Sequence, residues 1–233
     1  MPPRPTKNIS ALIVGAGSGI SAALARKLHA RGLSVGLVAR QTAKLQGIAE
    51  ATNAHVFEAD AADSDAMEEV FDLAEASMGP LSVVIYNASV GPSRHSLLDL
   101  EREVVERHLA TSALGAFVVV QQAARKMVPR RHGTILLTGA TASARGFAGS
   151  AAFAMGKFAM RGLAQSAARE LGPEGVHVAH LVIDGRVARG PSSPSESTSM
   201  NADHIAATYM HLIEQEADAW TFELDLRPFN ERF

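Results

Sequence analysis

The feature that most constrains the fold is a glycine-rich turn near the start of the chain, which joins an apolar run to an amphipathic helical pattern. Glycine has no Cβ, so a turn of this kind lets the backbone approach a phosphate closely. The N-terminus of the following helix adds N–H groups and the positive end of the helix dipole. A plain strand-to-helix connection is the alternative interpretation. The residues predicted to bind the diphosphate of a dinucleotide are Gly15, Gly17, Ser18, Gly19 and Ile20.

Apolar strand patterns and amphipathic helix patterns alternate along the rest of the chain. Strands are predicted at residues 9–14, 33–39, 55–59, 81–86, 134–138, 176–183 and 220–226. Helices are predicted at residues 20–32, 44–51, 63–79, 98–127, 151–171 and 202–215. Several of the strands are apolar throughout, as strands buried on both faces of a parallel sheet are. The pattern therefore predicts an α/β fold with a doubly wound parallel sheet.

Neither a linker nor an internal repeat divides the sequence, so residues 1–233 are predicted to form one dinucleotide-binding domain. Residues 1–8 are predicted to be a loose tail. Residues 190–201 are rich in serine and proline, and they are predicted to form a mobile loop on the substrate side of the domain.

Composition narrows the function classes. A hydrophobic content of 47% with 20% charged residues suits a globular protein with a large core. The net charge of −2 gives no reason to expect a nucleic acid or an anionic membrane as partner, and no apolar run is long enough to span a bilayer. The absence of cysteine excludes disulfides and a cysteine nucleophile, and it fits the cytoplasm. The spacing of histidine and acidic residues predicts no metal site.

Polar residues that follow the predicted strands indicate which dinucleotide is bound. Arg40 directly follows the second strand, where an acidic residue would accept the ribose 2′-OH and an arginine can pair with a 2′-phosphate. NADP is therefore favoured over NAD, with a solvated arginine as the alternative. Asp60 can accept from the adenine amino group or simply cap a turn. Asn87 can tie two strand ends together while the adjacent backbone faces the ribose.

The chain resembles the short-chain dehydrogenase/reductase family over nearly its whole length. The resemblance implies a Rossmann-type sheet of about seven strands in three α/β/α layers, a bound NAD(H) or NADP(H), and hydride transfer to or from a carbonyl or alcohol. It also implies cofactor contacts at Ala88, Gly185 and Val187. The matching stretches are Gly15-Ala16-Gly17-Ser18-Gly19-Ile20, Asp60, Asn87-Ala88, Gly146-Phe147 with Gly149, Lys157 and Ile183-Asp184-Gly185.

The resemblance also implies a four-residue catalytic site, from which this sequence departs. The tyrosine that acts as general acid is replaced by Phe153, the serine that orients the carbonyl by Ala140, and the asparagine of the water relay by Ser112. Only the lysine remains, as Lys157, which lies four residues after Phe153 on one helical face. The resemblance implies that this lysine holds the nicotinamide ribose. A general acid contributes roughly 10²- to 10⁴-fold in rate, so its loss should largely abolish ordinary carbonyl chemistry.

The glycine turn departs from the family at two further positions. Ser21 stands where the family has its last glycine, and Val14 replaces a threonine.

Neighbouring side chains offer possible replacements for the missing groups. Thr141 lies next to Ala140 and carries a hydroxyl that can orient a substrate. Arg94 and His95 lie in the loop after the fourth strand, which borders the substrate space in the family. The two tyrosines, Tyr86 and Tyr209, are expected to pack in the core.

Two functions remain open on the sequence alone. The first is an NADP(H)-dependent oxidoreductase that acts on a small carbonyl, alcohol or activated alkene with a non-standard acid. The second is a catalytically silent dinucleotide-binding protein, such as a redox sensor or a regulatory subunit. In either case the resemblance implies a homodimer or homotetramer, paired through the long helix and the helix that carries small residues at Ala152, Gly156, Ala159 and Gly162.

Overall fold

A single seven-stranded parallel sheet forms the middle of the molecule, as the computed structural model of residues 9–92, 94–188 and 199–230 shows. Its strand order is β3-β2-β1-β4-β5-β6-β9. The strands are β1 (Ser10–Val14), β2 (Ser34–Ala39), β3 (His55–Glu58), β4 (Leu81–Tyr86), β5 (Gly133–Thr138), β6 (Val176–Ile183) and β9 (Glu223–Leu226). Two short strands, β7 (Arg186–Val187) and β8 (Ser199–Met200), pair with each other outside the sheet.

Helices cover both faces of the sheet and complete the predicted three layers. They are α1 (Ile20–Ala30), α2 (Gln46–Thr52), α3 (Ser64–Met78), α4 (Arg102–Leu109), α5 (Gly115–Met127), α6 (Ala151–Leu171) and α7 (Ala202–Glu214). Side chains alternate along a strand, so β1 sends Leu12 into the core beneath α3, α5 and α6, and Ile13 into the core beneath α1 and α7. The Rossmann-type architecture predicted from the sequence is confirmed.

The helix predicted at residues 98–127 is not continuous. A short 3₁₀ turn at Leu97–Asp99 precedes α4, and a π-helical segment at Ala110–Leu114 separates α4 from α5. The Tyr86 hydroxyl donates to the carbonyl of Thr111 within this segment. A Cβ on Gly115 would lie 2.6 Å from the same hydroxyl. The helix can therefore approach Tyr86 this closely only because the residue that follows the π-helical segment is a glycine. The irregular turn thus carries a hydrogen bond from a tyrosine of the sheet, a contact that periodicity could not reveal.

Two further boundaries differ from the predictions by three residues, and the others by at most two. β9 begins at Glu223 rather than at residue 220, because the Trp220 ring stacks on His177 at 4.9 Å and Thr221 exchanges hydrogen bonds with Gln215. The predicted loop at residues 190–201 was wrong at its end, where β8 forms and Asn201 caps α7. Residues 190–198 of that loop, and the predicted tail at 1–8, lie outside the described residues.

The ends of β1 and β4 make a close backbone contact at Gly15. This residue has a φ of 81°, and a Cβ built on it would lie 2.3 Å from the backbone nitrogen of Ala88. Such a contact excludes every side chain. A Cβ on Gly17, two residues later, would meet nothing within 4 Å.

Gly15→Ala is therefore expected to lower the free energy of unfolding by more than about 2 kcal/mol, through both strained backbone and overlap with Ala88. Urea denaturation measures this. Gly17→Ala is the matched control and should leave the urea midpoint unchanged within error. Equal stability of the two variants would contradict the assigned contact.

Candidate functional site

A cleft of about 1150 Å³ opens at the carboxyl ends of the central strands. Its walls come from the glycine turn before α1, the segments that follow β4, β5 and β6, and the first turns of α6. In open α/β sheets ligands bind at this edge, where the strand order reverses. Of the residues predicted to bind cofactor, those that line the cleft are Gly17, Ser18, Gly19, Ile20, Asn87, Lys157, Gly185 and Val187.

The glycine turn leaves room for a ligand beside the N-terminus of α1. Cβ atoms built on Gly17 or Gly19 would meet nothing within 4 Å, so the space beside both residues is open. The first turn of α1 carries no acidic side chain that would repel an anion. Gly15 differs from the other two glycines, because it packs on Ala88 and does not line the cleft. Gly15 is thus needed for the packing of the end of β1 against Ala88, whereas Gly17 and Gly19 border the cleft.

Ser21 and Asn87 join α1 to the end of β4. Ser21 is buried, and its Oγ accepts from Asn87 Nδ2 at 2.7 Å and donates to the Gly15 carbonyl at 3.4 Å. The backbone N–H of Asn87 donates to the Val14 carbonyl at 2.8 Å. A serine therefore fits at the position where the family has glycine, because its hydroxyl bridges two groups already in place.

Arg40 and Asp60 meet at the ends of β2 and β3, where Arg40 Nη1 lies 3.7 Å from Asp60 Oδ2. Both side chains are more than half exposed, at 67% and 51%. Asp60 Oδ1 also accepts from the backbone N–H of Ala62 at 3.0 Å, which is the turn-capping role. An exposed pair of this kind is worth about 0–1 kcal/mol, so it can open to release the guanidinium for another anion.

The other wall of the cleft carries four of the five predicted catalytic positions. Ala140, Thr141, Phe153 and Lys157 all line the cleft. Ser112 does not, because it lies fully buried in the π-helical segment, and its Oγ has no hydrogen-bond partner among the described residues. Helix α6 covers it through Gly156, where a Cβ would lie 3.0 Å from the Ser112 Cβ.

The hydroxyl of Thr141 is already engaged. It donates to Oδ1 of Asp184, a carboxylate that is 3% exposed at the end of β6. The hydroxyl of Thr141, which the sequence suggested could orient a substrate, therefore donates its hydrogen to a carboxylate of the protein. The Ala140 N–H donates to Ser143 Oγ at 3.1 Å, and this buried serine returns a backbone N–H to the Ala140 carbonyl at 2.7 Å.

Asp184 also binds two arginines, which sequence reasoning missed. Arg145 and Arg227 each place Nη2 beside Asp184 Oδ2, at 3.3 Å and 3.2 Å. A buried carboxylate is costly unless it is paired, so the two guanidinium groups account for its presence. The signal that could have revealed this pairing is an aspartate placed directly after an eight-residue strand. The structure shows that strand to be buried throughout.

Lys157 is 2% exposed and lies one helical turn after Phe153 on α6. Its Nζ donates to the Thr138 carbonyl at 2.9 Å and lies 5.9 Å from the centre of the Phe153 ring. In the described part of the chain no carboxylate pairs with it. Burial without a counterion lowers the pKa of Lys157 to about 8.

The other candidate proton donors lie elsewhere. Tyr86 and Tyr209 are fully buried, and their hydroxyls bond to the Thr111 carbonyl and to Thr138 Oγ1. Burial raises the pKa of both tyrosines well above the usual value. Both therefore pack in the core, as the sequence favoured. In the loop after β4, Arg94 lines the cleft, while the His95 backbone N–H ties this loop to Gly149 at 3.1 Å.

Within residues 9–92, 94–188 and 199–230, no group of three or more metal-ligating side chains is arranged to hold a metal ion. The helices of the same ranges are all too short or too polar to cross a membrane.

Known proteins resemble this chain in sequence and in fold. The family model described as short chain dehydrogenase matches residues 10–185. The 3-oxoacyl-(acyl-carrier-protein) reductase MabA of Mycobacterium tuberculosis is 30% identical over 178 residues, which cover 76% of this chain and 69% of that protein.

Two solved structures have closely similar folds. A short-chain dehydrogenase from Rhodopseudomonas palustris is 34% identical with a TM-score of 0.84, and the match covers 96% of this chain and 100% of that one. A metagenomic short-chain oxidoreductase in complex with NADP is 26% identical with a TM-score of 0.82, and the match covers 94% of this chain and 97% of that one.

Proposed function

Because the chain belongs to the short-chain dehydrogenase/reductase family, we propose that it transfers a hydride between NADP(H) and a small carbonyl, alcohol or activated alkene by means of an acid other than tyrosine. The observation that carries this proposal is the open glycine turn at the N-terminus of α1, on the same cleft as Lys157. A cleft of about 1150 Å³ has room for both a dinucleotide and a small substrate.

The residues present fit such a cofactor. The open space beside Gly17 and Gly19 suits a diphosphate, which the backbone and the helix N-terminus would hold. Arg40 would reach a 2′-phosphate, and Lys157 would hold the nicotinamide ribose with its ammonium donors. When bound, the nicotinamide supplies or accepts the hydride. The solved relative in complex with NADP supports the choice of this cofactor.

The substrate half of the cleft is mainly apolar. Phe147, Phe153 and Ala148 line it, and Arg94 contributes one cation at the rim. These side chains would exclude water and hold a small apolar molecule, while Arg94 would favour one that carries a negative charge.

A catalytically silent dinucleotide-binding protein is the second candidate, and one observation favours it. Near the reacting position Phe153 and Ala140 have no hydroxyl, and the Thr141 hydroxyl is bound to Asp184. A protein of this kind would bind the cofactor normally and show no turnover.

Arg40 is expected to make NADPH bind at least about 10-fold more tightly than NADH, since a hydrogen bond to a charged group is worth about 1.5–3 kcal/mol. Arg40→Ala should abolish most of this preference by weakening NADPH alone. The dissociation constants follow from the fluorescence of the reduced cofactors on binding. Arg26→Ala is the control, because Arg26 is also exposed and paired with a carboxylate, Asp203, at 3.1 Å. Equal affinity of the native protein for the two cofactors would contradict the proposal.

Phe153→Tyr combined with Ala140→Ser should raise turnover of simple ketones by at least about 100-fold, because it restores an acid and a carbonyl donor beside Lys157. Oxidation of NADPH followed by absorbance measures the gain. Phe147→Tyr with Ala140→Ser is the matched control, since it adds a phenol to the same cleft at a position that is not one turn before the lysine. A double variant that binds NADPH and gains no activity would show that the rest of the site is not built for hydride transfer.

We also propose that the protein is a homodimer or homotetramer paired through the face of α5 and α6. Four large apolar side chains lie half exposed on these helices and on the π-helical segment before α5: Leu114, Phe117, Met155 and Phe158. Phe117→Asp with Phe158→Asp should yield monomers in light scattering. Leu73→Asp, an equally exposed site on α3, should not change the mass. A monomeric native protein at micromolar concentration would refute this pairing.

A further inference from the structure

We propose that the ammonium group of Lys157 is the proton donor of the cleft, in the role that Phe153 cannot fill. The proposed oxidoreductase function requires such an acid, so Lys157 has this role only if that function holds. The residue would then do more than hold the cofactor, because it would exchange a proton with the substrate oxygen.

The hydroxyls near the reacting position are already in hydrogen bonds. Thr141 donates to Asp184, Thr138 shares a hydrogen bond of 2.8 Å with Tyr209, and Ser150 donates to the Phe147 carbonyl at 2.8 Å. Of the described residues that line the cleft, two carry a charged side chain, Lys157 and Arg94. A guanidinium does not release its proton in proteins, which leaves the lysine.

The geometry of Lys157 suits a donor. An ammonium has three hydrogens, and one of them is used on the Thr138 carbonyl at 2.9 Å. The two others are available to a ligand in the cleft that the residue lines. Helix α6 holds the side chain in place, because Gly156 packs against the π-helical segment with no room for a Cβ.

The charged and titratable groups around Lys157 neither stabilise its charge nor compete for its proton. Burial lowers the pKa of His108 on α4 and of His180 on β6, so both are neutral at pH 7. Glu223 on β9 forms two hydrogen bonds with Arg161, one turn after Lys157 on α6, and a third with His180 at 3.0 Å. The Glu223 carboxylate is therefore paired with Arg161 and not with Lys157.

A group with this environment can act at physiological pH. Burial lowers the pKa of Lys157 to about 8, so the ammonium predominates at pH 7 and gives up its proton readily. A general acid works best when its pKa lies near the operating pH, which an exposed lysine does not achieve.

For a carbonyl substrate, Lys157 would supply the proton that the carbonyl oxygen takes up. A bound nicotinamide would supply the hydride that forms the C–H bond at the carbonyl carbon, and the π electrons of the carbonyl would move to its oxygen. The Nζ–H bond of Lys157 breaks and an O–H bond forms, which gives the alcohol and a neutral amine. The amine takes a proton from solvent after the product leaves. Alcohol oxidation runs the same steps in reverse, with the neutral amine as base.

The first test measures the amine itself, without cofactor. The chain has five lysines, so protein labelled with ¹³C at the lysine ε-carbon gives few signals, and Lys157→Arg identifies the one of interest. We expect its titration midpoint about two pH units or more below that of Lys126, whose pKa is raised by its hydrogen bond to Asp72 at 2.6 Å. A Lys157 signal that titrates together with the other lysines would overturn the proposal.

The second test uses NADPH and 2,2,2-trifluoroacetophenone, an activated ketone that needs little help to accept a hydride. The native rate should fall as the pH rises through about 8, since the ammonium is then lost. Lys157→Arg keeps the charge but has no transferable proton, so it should lose at least about 100-fold in kcat while NADPH still binds. Lys126→Arg, the same substitution at a lysine that is paired with Asp72 and does not line the cleft, should change neither the rate nor its pH profile.

The outcomes separate the two proposals. A native protein that binds NADPH and does not reduce the ketone contradicts the oxidoreductase function, and the role of Lys157 falls with it. Turnover by the native protein that survives in Lys157→Arg, or that shows no loss between pH 7 and pH 9, contradicts only the assignment of Lys157 as the acid.

Discussion

The backbone contact between Gly15 and Ala88 is the constraint on which the rest of the cleft depends. It holds the carboxyl ends of β1 and β4 together at the point where the chain stops adding strands on one side and begins on the other. Asn87 strengthens the same junction by bonding to Val14 and to Ser21 of α1. The turn at Gly17–Gly19 follows directly from this junction, and the space beside both glycines is open.

The two halves of the cleft differ in how many of their polar groups remain free for a ligand. Where the proposed cofactor would bind, the space beside the glycine turn is open. The Arg40–Asp60 pair, which lies outside the lining of the cleft, is loose and exposed. On the substrate side the hydroxyl of Thr141 is bound within the protein, and the position of the family's tyrosine is apolar. Lys157 lies beside Phe153 in the cleft, and under the proposed function it would also hold the ribose of the cofactor.

The sequence was sufficient to predict the parallel sheet, because continuous apolar strands and the glycines that end them are local signals. It also placed Phe153 and Lys157 on one face of α6, since a spacing of four determines that directly. The π-helical segment and the pairing of Asp184 could not be found this way. Both depend on contacts between residues 25 to 43 positions apart, which leave no periodic trace in either partner.

The carboxylate of Asp184 has a consequence for how distant parts of the chain communicate. Its partners come from the segment after β5 and from the residue directly after β9, which are far apart in sequence. A shift of β9 would therefore act on Thr141, on the wall of the cleft, through the buried carboxylate of Asp184. The edge strand of the sheet and the wall of the cleft are thus joined through one carboxylate, and a sequence change at Arg227 can alter the cleft without lining it.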